Sequence, residues 1–351
     1  MQADITLNPS ADENYLYTAE LDVTHGKDSL QATVVGDTSG TVKVTGTNTI
    51  RADVVDKLID SYKAHQIIRD FDFGANSRNK VTEINVTVDY SDGLKVDSYC
   101  KAELRNVGYQ LAVIQVDPQG NEKKYTPTNR PAYTTVEHAT CYVKARVRYH
   151  TAQNGQKPKD ECTITIGDIV MNYDNSSWLS CQDFSKLGIS GNKQAQLRRE
   201  FRNTTLKGDA VIIDVENSFV ELVNVRGNVY PSYSLGMFYA PLHDFMADIL
   251  MPYPVNVNTN NCVFPIYHDC KRPMTGNIRA EAAKQCGFRF LGTTIPLQKF
   301  NGFIHLTDDY VLLDRMNAAC WQGVLNAAVK IGITGKRTSF DGHVEARNMS
   351  L

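Results

Sequence analysis

A surplus of charge of either sign is missing from this chain. Lysine and arginine number 37 against 39 aspartates and glutamates, so the formal net charge is −2. Coating a nucleic-acid backbone needs a basic surplus, so that role is excluded and no sequence-specific nucleic-acid partner is expected. Long apolar runs are missing too. None approaches the roughly 20 residues a spanning helix needs, and no membrane partner is expected. The stretch from Met1 to Pro9 lacks the basic and apolar regions of a signal peptide, which leads us to expect synthesis in a cytoplasm. Cysteines occur at 100, 141, 162, 181, 262, 270, 286 and 320, but no Cys-x-x-Cys pair is among them. In a cytoplasmic chain of this length they read as buried reduced thiols rather than a disulfide framework. On the same ground the sequons at Asn85, Asn175, Asn203 and Asn348 read as unused.

Signatures of catalysis are also missing. There is no dinucleotide fingerprint, metalloprotease helix or Gly-x-Ser-x-Gly elbow. Gly332 and Gly335 are separated by two residues where a phosphate loop needs four. The Asp70–Gly74 segment meets Val81 where a calcium loop needs its closing Glu. Such absences weigh toward a binding or structural role.

What is present is a chain of 351 residues, 42% hydrophobic and 22% charged, which is not the composition of a disordered protein. The first half carries strand signals. Thr41–Thr45 and Ile84–Tyr90 alternate polar with apolar residues, and further strands are expected at Gln110–Val116, Thr140–Tyr149 and Cys162–Val170. Asp92-Gly93 is the clearest hairpin turn, with others at Gly36–Gly40 and Glu216–Ser218. One helix is expected over Ala52–Ile68. In the second half the spacing predicts helices over Gly191–Phe201, Pro241–Met251 and Asn277–Gln285. A long one is predicted over Asp308–Lys330, capped by Thr307 and ended by Gly332.

The resulting expectation is an α+β fold. Residues 1–172 would form a mainly antiparallel sheet or sandwich with one packed helix, and 173–333 a mixed α+β domain ending in the long helix. Residues 334–351 would be an extended polar arm, and Met1–Asn14 a second arm.

Two groups of residues carry candidate chemistry. Cys262, His268, Cys270 and Cys286 are four soft ligands that can surround a zinc ion, but the short two-cysteine knuckle is lacking. The alternative is a loop with buried thiols and a solvent-facing histidine, and no cofactor is expected. The aromatic group Tyr230, Tyr233, Phe238 and Tyr239, together with Lys336, Arg337 and Arg347 of the arm, is a candidate interface. A domain core explains the aromatics equally well. Arg198, Arg199 and Arg202 form a basic cluster that reads as a solvated helical face.

The chain contains 28 threonines and 26 asparagines, residues suited to exposed sheet faces and to turns. In this β-rich, Thr- and Asn-rich character it resembles virion structural proteins, such as bacteriophage head, neck and tail components. The resemblance implies homo-oligomeric assembly in a virion, with copies of itself and other virion proteins as partners. The alternatives are a hydrolase with a dispersed Cys/His or carboxylate site, and a carbohydrate- or receptor-binding module using the Tyr230–Tyr253 segment.

Overall fold

The structure, a computed structural model, describes residues 2–9, 15–55, 71–110, 113–116, 122–125, 133–150, 160–180, 182–230, 249–265, 272–290, 292–332 and 339–348. Strand makes up 72% of it and helix 8%. The α+β expectation is therefore overturned: this is an antiparallel β protein.

The strands follow one another as an antiparallel meander. It begins with β1 (Gln2–Pro9), β2 (Tyr15–His25), β3 (Asp28–Asp37) and β4 (Thr41–Asn48), with a short helical turn α1 (Ala52–Val55) after β4. The short β5 (Phe71–Asp72) pairs with β7, while β6 (Arg78–Asp89) joins β4 to β7 (Leu94–Gln110). A separate hairpin of β8 (Val113–Val116) and β9 (Glu122–Tyr125) follows. The main sheet resumes with β10 (Tyr133–Tyr149), β11 (Glu161–Asp174) and β12 (Asn203–Asp214). Helices α2 (Ser176–Ser180) and α3 (Gly191–Glu200) lie between β11 and β12.

Beyond β12 the sheet runs in two tracks. One passes through β13 (Phe219–Val223) to β17 (Asn261–Pro265), the other through β14 (Arg226–Val229) to β16 (Val255–Thr259). Both reach β18 (Thr275–Ala282). The sheet then ends with β20 (Thr293–Thr307), β21 (Tyr310–Cys320), β22 (Gly323–Gly332) and β23 (Ser339–Arg347). A flap of β15 (Ile249–Leu250) and β19 (Cys286–Phe290) pairs with the first residues of β20.

Local chemistry explains the turns. Asp37 Oδ1 accepts hydrogen bonds from the backbone of Ser39 and Thr41, closing β3 onto β4. Gly93, at φ +85, ends the loop that joins β6 to β7. Asp214 accepts from Asn217 N across the β12–β13 turn, where Ser218 is left-handed.

Four expectations are corrected. The predicted helix over Asp308–Lys330 is the β21–β22 hairpin. Its supposed cap, Thr307, closes a turn by hydrogen bonding to both Tyr310 N and Tyr310 O, and Asp308 Oδ1 accepts from Met274 N at 2.6 Å. Trp321 and Gln322, both at positive φ, form the two-residue hairpin loop between paired Cys320 and Gly323. The predicted helix over Asn277–Gln285 is largely β18, which is antiparallel to β20; its pattern alternates exposed and buried residues, which is strand periodicity. Neither polar terminus is a free arm: β1 is paired along β2, and β23 along β22. The helix at Gly191–Glu200 is present. Of the Ala52–Ile68 and Pro241–Met251 predictions, residues 56–68 and 241–248 lie outside the described residues, and Ile249–Leu250 is strand.

The core is uneven. One cluster forms where the helical insertion meets the flap: Leu179, Phe184, Leu187 and Leu197 pack with Leu250, Cys286 and Leu297. A second gathers Cys262, Phe264, Ile278, Ile304, Leu306, Val311 and Ile331 on the sheet face. Paired residues of antiparallel strands share a face, so that face can be followed strand by strand. From Leu7 it runs through Ala19, Val34, Val44, Val86, Ser98, Ala145, Ile164, Ile213 and Val220 to Phe264. Gly276, where an added Cβ would meet the Cys262 side chain, carries it on through Leu306, Val311 and Ile331 to Phe340. Phe264, Leu306, Val311 and Ile331 are buried; the members from Ala19 to Val220 are only half-buried; Leu7 and Phe340 are exposed.

Candidate assembly surface

The two ends of the sheet are its most unusual surfaces. Large apolar side chains are exposed at both: Ile5 at 69% and Leu7 at 67% on β1, Phe340 at 67% and Val344 at 59% on β23. Ile5 and Leu7 are two apart and so share a face of β1; Phe340 and Val344 likewise share a face of β23. The other face of each end strand is polar, with Asp4, Thr6 and Asn8 on β1 and Asp341, His343, Glu345 and Arg347 on β23. Among the described residues β1 pairs only with β2 and β23 only with β22, so each strand presents one backbone edge without a partner. Long edge strands with exposed apolar side chains are sites where another chain can add.

The charges at the first end are of one sign. Asp4 stands directly opposite Asp22, and Glu20 lies on the same face one pair along. These carboxylates accept hydrogen bonds from Gln2, Gln31 and Thr33, all uncharged. Like charges directly opposite each other in a sheet are destabilising. At the other end Arg347 reaches Glu345 Oε1 at 2.7 Å, and this pair holds the Glu345 carboxyl below its usual range.

A second candidate is a polar cleft of about 470 Å³ lined by Arg105, Asn106, Glu137, His138, Asn172, Asn203, Thr204 and Thr205. It forms where the sheet is irregular: Asn106 has φ +50, and the β10–β11 register slips between Val136 and His138. Glu103 accepts from Arg105 Nε at 2.6 Å and hydrogen-bonds His138 Nε2 at 3.1 Å. The Arg105 bond above all holds its carboxyl below the usual range, so it is poorly placed to donate a proton. The hydroxyls of the cleft are already engaged: Thr205 donates to Asn172, and Thr204 accepts from Asn175. Nucleophilic catalysis needs a hydroxyl or thiol bonded to a base, and the threonine hydroxyls described in this cleft bond asparagine side chains instead.

The residues singled out in the sequence are scattered. Cys262 lies in the sheet-face cluster and Cys286 in the cluster beneath the helical insertion; His268 and Cys270 are outside the described residues. Burial raises both thiols, Cys286 to about 12, which opposes the thiolate form a zinc ion requires. Among the described residues no group of three potential ligands converges. Tyr230 is a core residue, 1% exposed, with its hydroxyl donating to Phe201 O. Tyr253 packs edge-on against Phe201 at 5.2 Å, with the Lys284 ammonium over both rings. Tyr233, Phe238, Tyr239, Lys336 and Arg337 lie outside the described residues, and Arg347 is exposed on β23. Arg198, in the basic cluster, donates to Gln182 O and so helps fasten α3 to the preceding loop.

The apolar ends of the sheet do not stand out in the sequence, because both termini read as polar arms. The available signal was the alternation Ala3, Ile5, Leu7 and Phe340, Val344, Ala346.

Comparison of the chain with protein-family models, with curated proteins and with solved structures finds no match.

Proposed function

We propose that this chain is a virion structural protein, a bacteriophage tail, neck or capsid component, that works by assembling with copies of itself. One observation carries the assembly: among the described residues a continuous antiparallel sheet ends on both sides in a strand with an open backbone edge and exposed apolar side chains. Edges of this kind are normally blunted by lysine, bulges or a covering element in proteins that stay monomeric. Here Ile5, Leu7, Phe340 and Val344 stand in those positions instead. The near-zero net charge is compatible with close packing of identical copies, because long-range self-repulsion is small. The virion assignment rests on the threonine- and asparagine-rich β character of the chain.

Negative-stain imaging and light scattering of the purified protein test this reading. Rings, tubes or shells are expected. A stable monomer at high concentration, with activity toward an ester, peptide or glycan, would return the weight to a hydrolase or a binding module.

A further inference from the structure

We propose that copies join head to tail, with β23 of one copy antiparallel beside β1 of the next, so that one sheet runs through the assembly. This rests on the assembly reading above and specifies its joint. Three features of the sheet lead to it.

The first is direction. Each step along β1-β2-β3-β4-β6-β7-β10-β11-β12-β14-β16-β18-β20-β21-β22-β23 is antiparallel. Direction reverses at every step, so β23, the sixteenth strand of the path, runs opposite to β1. A following copy in the same orientation then meets β23 with an antiparallel strand, the same junction used throughout the chain. An even number of steps would instead have set β23 parallel to the β1 that follows it.

The second is sidedness. Leu7 and Phe340 terminate one apolar face, followed by paired residues from β1 through β13 to β17 and, across the Cys262–Gly276 approach, from β18 to β23. When β1 follows β23, Ile5 and Leu7 therefore come to the same side as Phe340 and Val344, and the apolar row continues across the joint. A one-residue slip would turn the apolar set of one copy to the polar side, so sidedness restricts the register to alternate positions.

The third is charge. Asp4, Glu20 and Asp22 share the polar face of the first end, with no cation paired to them among the described residues. Arg347 lies on the polar face of the last strand, bonded to Glu345 Oε1 at 2.7 Å but with its side chain 67% exposed, so that it can also reach a carboxylate across a joint. The register that sets Asp4 opposite Arg347 also sets Leu7 opposite Val344 and Thr6 opposite Glu345. A joint of β1 with another β1 would instead add carboxylates to carboxylates. A head-to-tail contact closes into a ring or runs on as a helix or tube, according to the rotation between copies.

Two double variants test the joint. Ile5→Lys/Leu7→Lys blocks the first end, and Phe340→Lys/Val344→Lys blocks the last. All four sites are exposed, and circular dichroism with a thermal melt checks that each variant is folded. At a concentration where the wild-type chain assembles, each variant alone is expected to scatter as a monomer. An equimolar mixture is expected to give a two-chain complex of twice 39.2 kDa and to stop there, because only one good joint can form. A second readout avoids the lysines: Thr6→Cys and Glu345→Cys variants, mixed under oxidising conditions, should form a disulfide-linked dimer that neither forms alone. A wild-type chain that stays monomeric overturns both the joint and the assembly reading. Wild-type assembly that survives in both double variants, or a mixture that remains monomeric, overturns the head-to-tail joint and leaves assembly by another surface standing.

Discussion

Gly46 on β4 lies where a Cβ would sit 2.1 Å from Gln31 O and 2.9 Å from Ala32 Cα, both backbone atoms of the neighbouring strand. Nothing there can swing aside. Gly46→Ala is therefore expected to lower stability by roughly 1–3 kcal/mol, the usual range for overpacking, measured by denaturant unfolding. Gly167 differs: its Cβ would meet the ring tip of Tyr142, a side chain that can move, so Gly167→Ala should cost less. Two thiols, the half-buried Cys141 and the buried Cys286, give a pH prediction. Burial raises Cys141 to about 11 and Cys286 to about 12 from an ordinary value of 9.0. Their neutral form is favoured in the fold, so this contribution to stability is complete below pH 9 and is lost as pH rises from there toward 12. Unfolding midpoints measured from pH 7 to pH 11 should fall on the alkaline side, and Cys286→Ala should flatten the fall. A Cys286 that reacts at once with a thiol reagent in the native protein would contradict this placement.

At the scale of single elements, the β21–β22 hairpin is the instructive case. Its loop residue Gln322 is exposed and held at φ +67, a left-handed conformation that costs a non-glycine residue roughly 1–2 kcal/mol. Gln322→Gly should relieve this and, after glycine's own entropy cost, raise stability by about 0.5–1 kcal/mol in a thermal or denaturant melt. A helix through this segment would give the opposite sign, since glycine inside a helix costs about 1 kcal/mol. The helical expectation arose because Val311, Leu312, Met316, Cys320, Leu325 and Val329 fall at helical spacing, while the turn carries neither Asn-Gly nor Asp-Gly. Turns built on ordinary chemistry, Gly36–Gly40 and Asp92-Gly93, were readable from sequence, and so were the alternating strands they join. Strands whose pairing is set by partners that are not their sequence neighbours, such as β18 with β16 and β20, have no local marker strong enough to separate them from a helix, and the short alternation of β1 has none to separate it from a polar tail. The cleft at Arg105 and His138 was invisible for the same reason: its lining comes from four strands and depends on a register slip.

On the scale of the whole molecule, the sheet grades from a buried face around Phe264 and Leu306 to exposed apolar ends at Leu7 and Phe340. A chain that ended its task as a monomer would gain nothing from those ends, and transfer of such side chains out of water contributes about 25 cal/mol per Å². Assembly through apolar contact should therefore persist at high salt, where exposed ion pairs are screened within a few ångströms. Sedimentation at 0.1 M and 1 M salt should show the same or larger particles; dissociation to single chains at 1 M would assign the contact to charge instead. The most direct measurement is the solution mass of the wild-type chain by light scattering as concentration rises. Particles of many times 39.2 kDa that retain β-sheet structure are expected. A mass that stays at that of one chain over the whole range would contradict assembly.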